Sequence, residues 1–196
     1  MTLAFQNTQH YNYGDYVTWS DDAQCELIDG EAFMMSPAPD LAHQEVAGEI
    51  YFQIRQALQG KPCRAFMAPV DVRLQKQNEA DDQIDTVVQP DLFVVCNSNK
   101  LDKRGVRGAP DWIIEVLSPS TARRDQITKR NLYERHGVFE YWLVHPVDRM
   151  LTIYHLENGE YHKPVLTKLE GQTSVKILPE IVIRWDELME RLPKGY

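Results

Sequence analysis

Residues 111–119 read DWIIEVLSP, and the reading of this stretch decides the fold. As a strand it puts Trp112, Ile114 and Val116 on one face and Ile113, Glu115 and Leu117 on the other. Both faces are apolar, the signature of a strand inside a sheet covered on both sides. Glu115 interrupts that pattern. Burying its carboxylate costs several kcal/mol unless a cation or a set of hydrogen bonds compensates it.

Working upstream, TVVQPDLFVVC carries five apolar residues after Pro90 and Asp91 and predicts a second strand covered on both faces. In CRAFMAPVDVRL, Val70, Val72 and Leu74 alternate with Asp71 and Arg73, which predicts a strand with one polar face near a sheet edge. Val46, Ile50, Ile54 and Leu58 recur at helical spacing from Leu41 onward, and Gly60 with Pro62 stops the helix. Before it, CELIDGEAFMM places an Asp29-Gly30 turn between two apolar stretches, the signal of a tight hairpin, and SPAPD follows as a loop.

Downstream of Pro119 the spacing predicts a helix carrying Ile127, Leu132 and Tyr133 that ends near Gly137, followed by a strand, EYWLVHP. An Asn158-Gly159 hairpin, the apolar segment KILPEIVI and a short helix from Asp186 complete the chain. The order predicts one α/β domain over 1–196, with a mixed central β-sheet flanked by helices. Its core spans about 26–146, with the C-terminal hairpin and helix over 149–196.

The chain has 196 residues, 43% of them hydrophobic, enough to bury a core and too many for wholesale disorder. Its apolar runs are strand-sized, far short of the roughly 20 residues that span a bilayer. The N-terminal MTLAFQNTQHYNYGDYVTW has no basic start and no apolar h-region, so a cytoplasmic location without membrane attachment is expected. Cys25, Cys63 and Cys96 are odd in number and form no CxxC pair, which predicts reduced, packed thiols. The formal charge of −8 excludes a general basic face. Local clusters remain, at Lys100, Lys103, Arg104 and Arg107 and at Arg123, Arg124, Lys129 and Arg130, while acids gather in EADDQID at 79–85. Solvated charge is the plainer reading of the first cluster.

Asp91 begins one doubly covered strand and Glu115 lies within the other. If the strands are neighbours, the carboxylates converge at one end of the sheet and repel unless a cation lies between them. Mg²⁺ suits such a pair, because it takes one or two carboxylates and completes its shell with water, carbonyl or phosphate oxygens. The plainer alternative pairs Glu115 with a buried Arg or with backbone amides. Asp111 also follows a proline but stands roughly 13 Å from Glu115 at ~3.3 Å per residue, too far to share one ion. In the next helix, Asp125, Lys129 and either Leu132 or Tyr133 share a face, for which an exposed i,i+4 ion pair is the plain explanation.

These segments together, namely PD followed by LFVV, then WIIEVLSPST, then D-x-x-x-K-x-x-x-Y and GVFEYWLVHP, resemble the restriction-endonuclease-like family, catalogued as a domain of unknown function within the PD-(D/E)xK nuclease superfamily. The resemblance runs from about Glu26, through ELIDGEAFMMSPAPDLAHQ, to about Pro146. It implies a restriction-endonuclease-like fold, in which a helix precedes a β-meander and a further helix crosses to another strand. It also implies that Asp91 and Glu115 hold the metal. The lysine expected two residues after Glu115 is replaced by Leu117, and the family pattern carries that role to Lys129. His43, Asp125 and Tyr133 match further family positions.

The function expected from this resemblance is Mg²⁺-dependent hydrolysis of DNA phosphodiester bonds, with Mn²⁺ as a substitute ion. Asp91, Glu115 and the carbonyl of Val116 would hold the metal, and Lys129 would orient the attacking water and stabilise charge on the phosphoryl oxygens. His43, Arg107, Arg123 and Arg124 are the candidates for substrate contact. The apolar residues of KILPEIVIRW, if exposed, would form a homodimer interface. Two rival functions keep the same fold: a non-catalytic interaction module, and a hydrolase of another phosphate ester.

Overall fold

A computed structural model of the chain describes residues 9–19, 25–35 and 40–192. Most of the SPAPD loop, 36–39, and the N-terminal residues 1–8 lie outside them. In chain order the helices are α1 (Tyr13–Tyr16), α2 (Leu41–Ala57), α3 (Arg130–Arg135, entered through a π-helical segment, Arg124–Lys129) and α4 (Trp185–Arg191). The strands are β1 (Cys25–Ile28), β2 (Glu31–Met34), β3 (Arg64–Met67), β4 (Val72–Arg73), β5 (Val87–Val88), β6 (Leu92–Val95), β7 (Leu101–Asp102), β8 (Gly105–Arg107), β9 (Trp112–Val116), β10 (Glu140–His145), β11 (Met150–Glu157), β12 (Glu160–Tyr161), β13 (Val165–Lys168), β14 (Gln172–Ser174) and β15 (Val182–Arg184).

The main sheet runs β12-β11-β10-β9-β6-β3, with β13 also on β11. It is mixed, because β9 and β10 are parallel while β6 is antiparallel to both β3 and β9. The parallel pair needs a crossover, supplied by the helical segment between Pro119 and Gly137. Burial of Trp112–Val116 is complete, as the doubly apolar pattern predicts. On one face, Val46, Ile50, Ile54 and Leu58 of α2 pack with Trp112, Ile114, Val116, Trp142 and the α4 residue Trp185. On the other, Phe93, Ile113, Leu117 and Leu143 pack with Leu132 and Tyr133 and with Ile28, Val72, Val88 and Val106.

Those last four residues belong to or adjoin a second sheet, β2-β1-β5-β4-β8-β7, which the sequence reading did not anticipate. Its inner strands β4 and β5 are two residues long and carry no readable period. One expectation changes with it. Arg73, placed on a polar strand face by alternation, is fully buried, its guanidinium bonded to Asp81 and Asp102 at 2.6 Å. Ile127, named with Leu132 and Tyr133 on the predicted helix, is 56% exposed on the π-helical segment, while those two are buried.

Cysteine pairing also differs from expectation. Arg64 opposes Val95 in the β3–β6 register, so Cys63 and Cys96 are the next opposed pair, and they form a disulfide. Partners 33 residues apart are invisible as a pair until that register is known. Cys25 remains free and buried. The KILPEIVIRW segment is committed as well: Ile181, Ile183 and Trp185 are fully buried in this chain's own core, so they offer no dimer face. No helix among the described residues is long and apolar enough to cross a membrane.

Candidate active site

The β6–β9 register opposes Leu92 to Ile114, and the next opposed pair is Asp91 and Glu115. The backbone N–H of Asp91 donates to Glu115 Oε2 at 3.1 Å, and that of Val116 donates to Asp91 Oδ2 at 2.8 Å. The same Asp91 oxygen faces His43 Nε2 at 3.1 Å. His43 is delivered by the first turn of α2, where the Asp40 side chain caps the helix by accepting from the His43 N–H at 2.8 Å.

From the opposite side, the π-helical segment brings in the lysine. Lys129 Nζ donates to Glu115 Oε1 at 2.9 Å, lies 2.9 Å from Glu26 Oε1 and stands 3.6 Å from Asp125 Oδ1. Tyr133 donates its hydroxyl to Glu115 Oε1 at 3.0 Å. Asp125 and Lys129 are both buried, so their i,i+4 pair is no solvated surface contact. Leu117, where the superfamily pattern would put a lysine, packs in the apolar core.

Four carboxylates, Glu26, Asp91, Glu115 and Asp125, thus share one recess with Lys129, His43 and Arg124. Desolvation pushes the Glu115 pKa well above its ordinary value, against the pull of Lys129 and with the help of the other carboxylates. Desolvation also raises Asp125. Burial opposes the charge on Lys129, but Glu115, Glu26 and Asp125 outweigh it and hold its pKa well above that of free lysine. Lys129 is therefore charged. At His43, burial likewise opposes charge, and the hydrogen bond and field of Asp91 overcome it to raise the pKa.

Carboxylates still short of positive partners are what a hard cation compensates. Among the described residues no set of three or more His, Cys, Asp and Glu side chains could hold a metal by itself. Two carboxylate oxygens are nevertheless open: Asp91 Oδ1 accepts no hydrogen bond from the described residues, and Glu115 Oε2 accepts only the Asp91 N–H. A two-carboxylate site with water or phosphate completing the shell fits Mg²⁺. The recess measures about 70 Å³, which suits an ion or a phosphate group and not a whole nucleotide.

Of the other sequence candidates, Arg124 lines the recess, 3.8 Å from Glu26, with its guanidinium over the Phe33 ring and hydrogen-bonded to the Met34 carbonyl. Arg123 is exposed beside it and is not among the recess-lining residues. Arg107 is not brought to the site. It donates to the Glu79 carbonyl and lies 3.7 Å from Asp81, because the basic 100–107 loop folds against the acidic 79–85 loop. Asp111 is structural and accepts the Cys96 N–H at 2.7 Å. Sequence reasoning missed Glu26 and Gln89; Gln89 N–H donates to Glu26 Oε1 at 2.9 Å. The one available signal was a charged residue inside the apolar CELI strand, all four of whose positions are buried.

A model of the Uma2 family, described as "Putative restriction endonuclease", matches residues 13–186. Among solved structures, one described as "a putative nuclease belonging to DUF820" from Anabaena variabilis ATCC 29413 superposes with a TM-score of 0.72, covering 91% of this chain and 97% of that one. At 18% identity this likeness speaks for a shared fold. No curated protein matches the chain.

Proposed function

The chain belongs to the Uma2 family, and on that premise we propose that it is a Mg²⁺-dependent nuclease that hydrolyses DNA phosphodiester bonds. The observation that carries this reading is the convergence of Asp91, Glu115 and Lys129 from adjacent strand ends and the following helix into one recess. Asp91, Glu115 and the Val116 carbonyl are the groups that would hold the metal. When bound, it would polarise the phosphate and lower the pKa of a coordinated water. Lys129, charged and fixed by three carboxylates, supplies preorganised positive potential where charge develops on the phosphoryl oxygens. His43 holds Asp91 Oδ2 and leaves Oδ1 free for the ion, while Tyr133 and the Asp91 N–H fix the orientation of Glu115. Arg124, at the wall of the recess, contacts the incoming phosphate.

One observation favours a second reading, a non-catalytic module on the same fold. Lys129 and Tyr133 already satisfy Glu115 Oε1, so the network is also a competent structural tie between the sheets. Calorimetric titration with Mg²⁺ or Mn²⁺, coupled to plasmid nicking, separates the two. For a nuclease, Asp91→Asn and Glu115→Gln each abolish both metal binding and nicking while the protein stays folded. Absence of metal binding by the native protein at millimolar concentrations sinks the nuclease reading and leaves the structural one.

A further inference from the structure

The recess at Asp91 is too small for a nucleotide, and Gln89, which lines it, also lines a larger cleft of about 570 Å³. That cleft lies against Arg64, Phe66 and Lys103 and meets a second one of about 660 Å³ across the same Arg64 and Phe66. Phe52 and Arg55 line the far part. Strand β3 is the physical link: beyond its end, the Ala68 N–H donates to the Asp91 carbonyl at 3.0 Å, and Arg64 stands about 13 Å back along the chain at ~3.3 Å per residue.

The composition of this track is unusual for an acidic protein. Of the five cations lining it, Lys61 pairs with Glu180 and Arg104 with Asp81, whereas Arg55, Arg64 and Lys103 are exposed and have no ion-pair or hydrogen-bond partner among the described residues. The two acids in the nearer wall are engaged: Asp71 accepts from Gln89 at 2.8 Å and Asp102 from Arg73 at 2.6 Å. Aromatic rings alternate with the free cations. Phe66 rests on Phe93 with ring centroids 5.4 Å apart, and Phe52 is 51% exposed, a large apolar side chain at the surface beside Arg55. Free cations that track a backbone, interleaved with rings on which bases stack, are the means by which unpaired strands are held. Clefts of several hundred Å³ take ligands of nucleotide size and not a duplex.

We propose that the two neighbouring clefts running from Gln89 past Phe66 to Phe52 together seat a single-stranded DNA segment flanking the scissile phosphate, with Arg64, Lys103 and Arg55 on its phosphates and the two rings against its bases. The proposal rests on the nuclease reading for the meaning of the scissile phosphate. The preferred substrate is then DNA with an unpaired tail next to the cleavage point.

Fluorescence anisotropy in EDTA, where metal-dependent cleavage is absent, tests binding with labelled oligo(dT), a blunt hairpin, and the same hairpin carrying a single-stranded tail. Oligo(dT) and the tailed hairpin are expected to bind at least about tenfold more tightly than the blunt one. Arg64→Ala with Lys103→Ala removes that preference and lowers the salt slope of log K by about 1.4, at ~0.7 per single-strand phosphate contact. Phe52→Ala, a change at an exposed position, weakens oligo(dT) binding about tenfold. Equal or tighter binding of the blunt hairpin, or variants that bind like the native protein, overturns the proposal. Tail-dependent binding with no cleavage of any DNA supports the strand site and overturns the hydrolytic reading alone. Cleavage that ignores the tail does the reverse.

Discussion

Lys129 and Glu26 meet at 2.9 Å, and through this contact the helix that follows β9 is tied to the first strand of the second sheet. The same ammonium reaches Glu115 in the main sheet at 2.9 Å, so one buried charge joins both layers. Losing it strands three buried carboxylates, Asp125 included, and Lys129→Met is expected to cost roughly 3–5 kcal/mol in urea denaturation. Adding Glu26→Gln to that variant is expected to cost less than the two single changes summed, since the partners share one interaction. Additive losses would show that the contact carries no coupling.

Glu140 is a buried carboxylate of another kind. It is fully buried, and it accepts from Trp142 Nε1 at 2.7 Å, from the Ile177 N–H at 3.0 Å and from the Lys176 N–H at 3.3 Å, with His155 Nε2 3.5 Å from Oε1. Glu140→Leu leaves buried donors unpaired and is expected to lower stability by about 1–3 kcal/mol per donor. Metal affinity and nicking at a temperature well below the melt are expected to stay native. A Glu140 variant that folds but loses metal binding would mean that the recess is not the metal site.

Acid sensitivity provides a third check. Burial, aided by Arg135, lowers the His136 pKa, and burial lowers that of His145. Both groups are largely neutral in either state a unit or more above the ordinary histidine value of about 6.5. Below it the unfolded chain takes up protons that the folded chain resists, so their contribution to stability is lost as pH falls. Glu115 and Asp125, with raised pKa values, act in the opposite sense as they protonate in the folded state. The double change His136→Gln, His145→Gln isolates the histidines: its urea midpoint should fall less between pH 7.5 and 5.5 than that of the native chain. An identical fall in both would refute the assignment.

The main sheet was legible because its central strands are long enough to show apolar residues on both faces, and α2 because four apolar residues keep its period. Asp91 and Glu115 were legible as charges in apolar strands, and the family pattern pointed to Lys129. Glu26 escaped because β1 is only four residues long and its inner partner β5 has two, where alternation carries almost no information. The same shortness hid the second sheet and the burial of Arg73. The pairing of the basic and acidic loops depended on that sheet too, so Arg107 looked free in sequence and is occupied in the structure.

The π-helical segment sets a rule about length. In an α-helix the eight positions from Asp125 to Tyr133 would drift by roughly 80° around the axis at 3.6 residues per turn. The bond from the Arg130 N–H back to the Asp125 carbonyl widens one turn and reduces that drift, so that Lys129 and Tyr133 reach the same oxygen of Glu115 with Asp125 behind them. The number of residues between Asp125 and Tyr133 is thus as much a part of the site as their identities. A one-residue deletion there, with every named side chain retained, would dismantle the constellation, whereas surface loops elsewhere absorb such changes. In related chains, an insertion or deletion inside this interval is the alteration that would uncouple the helix from the carboxylates it serves.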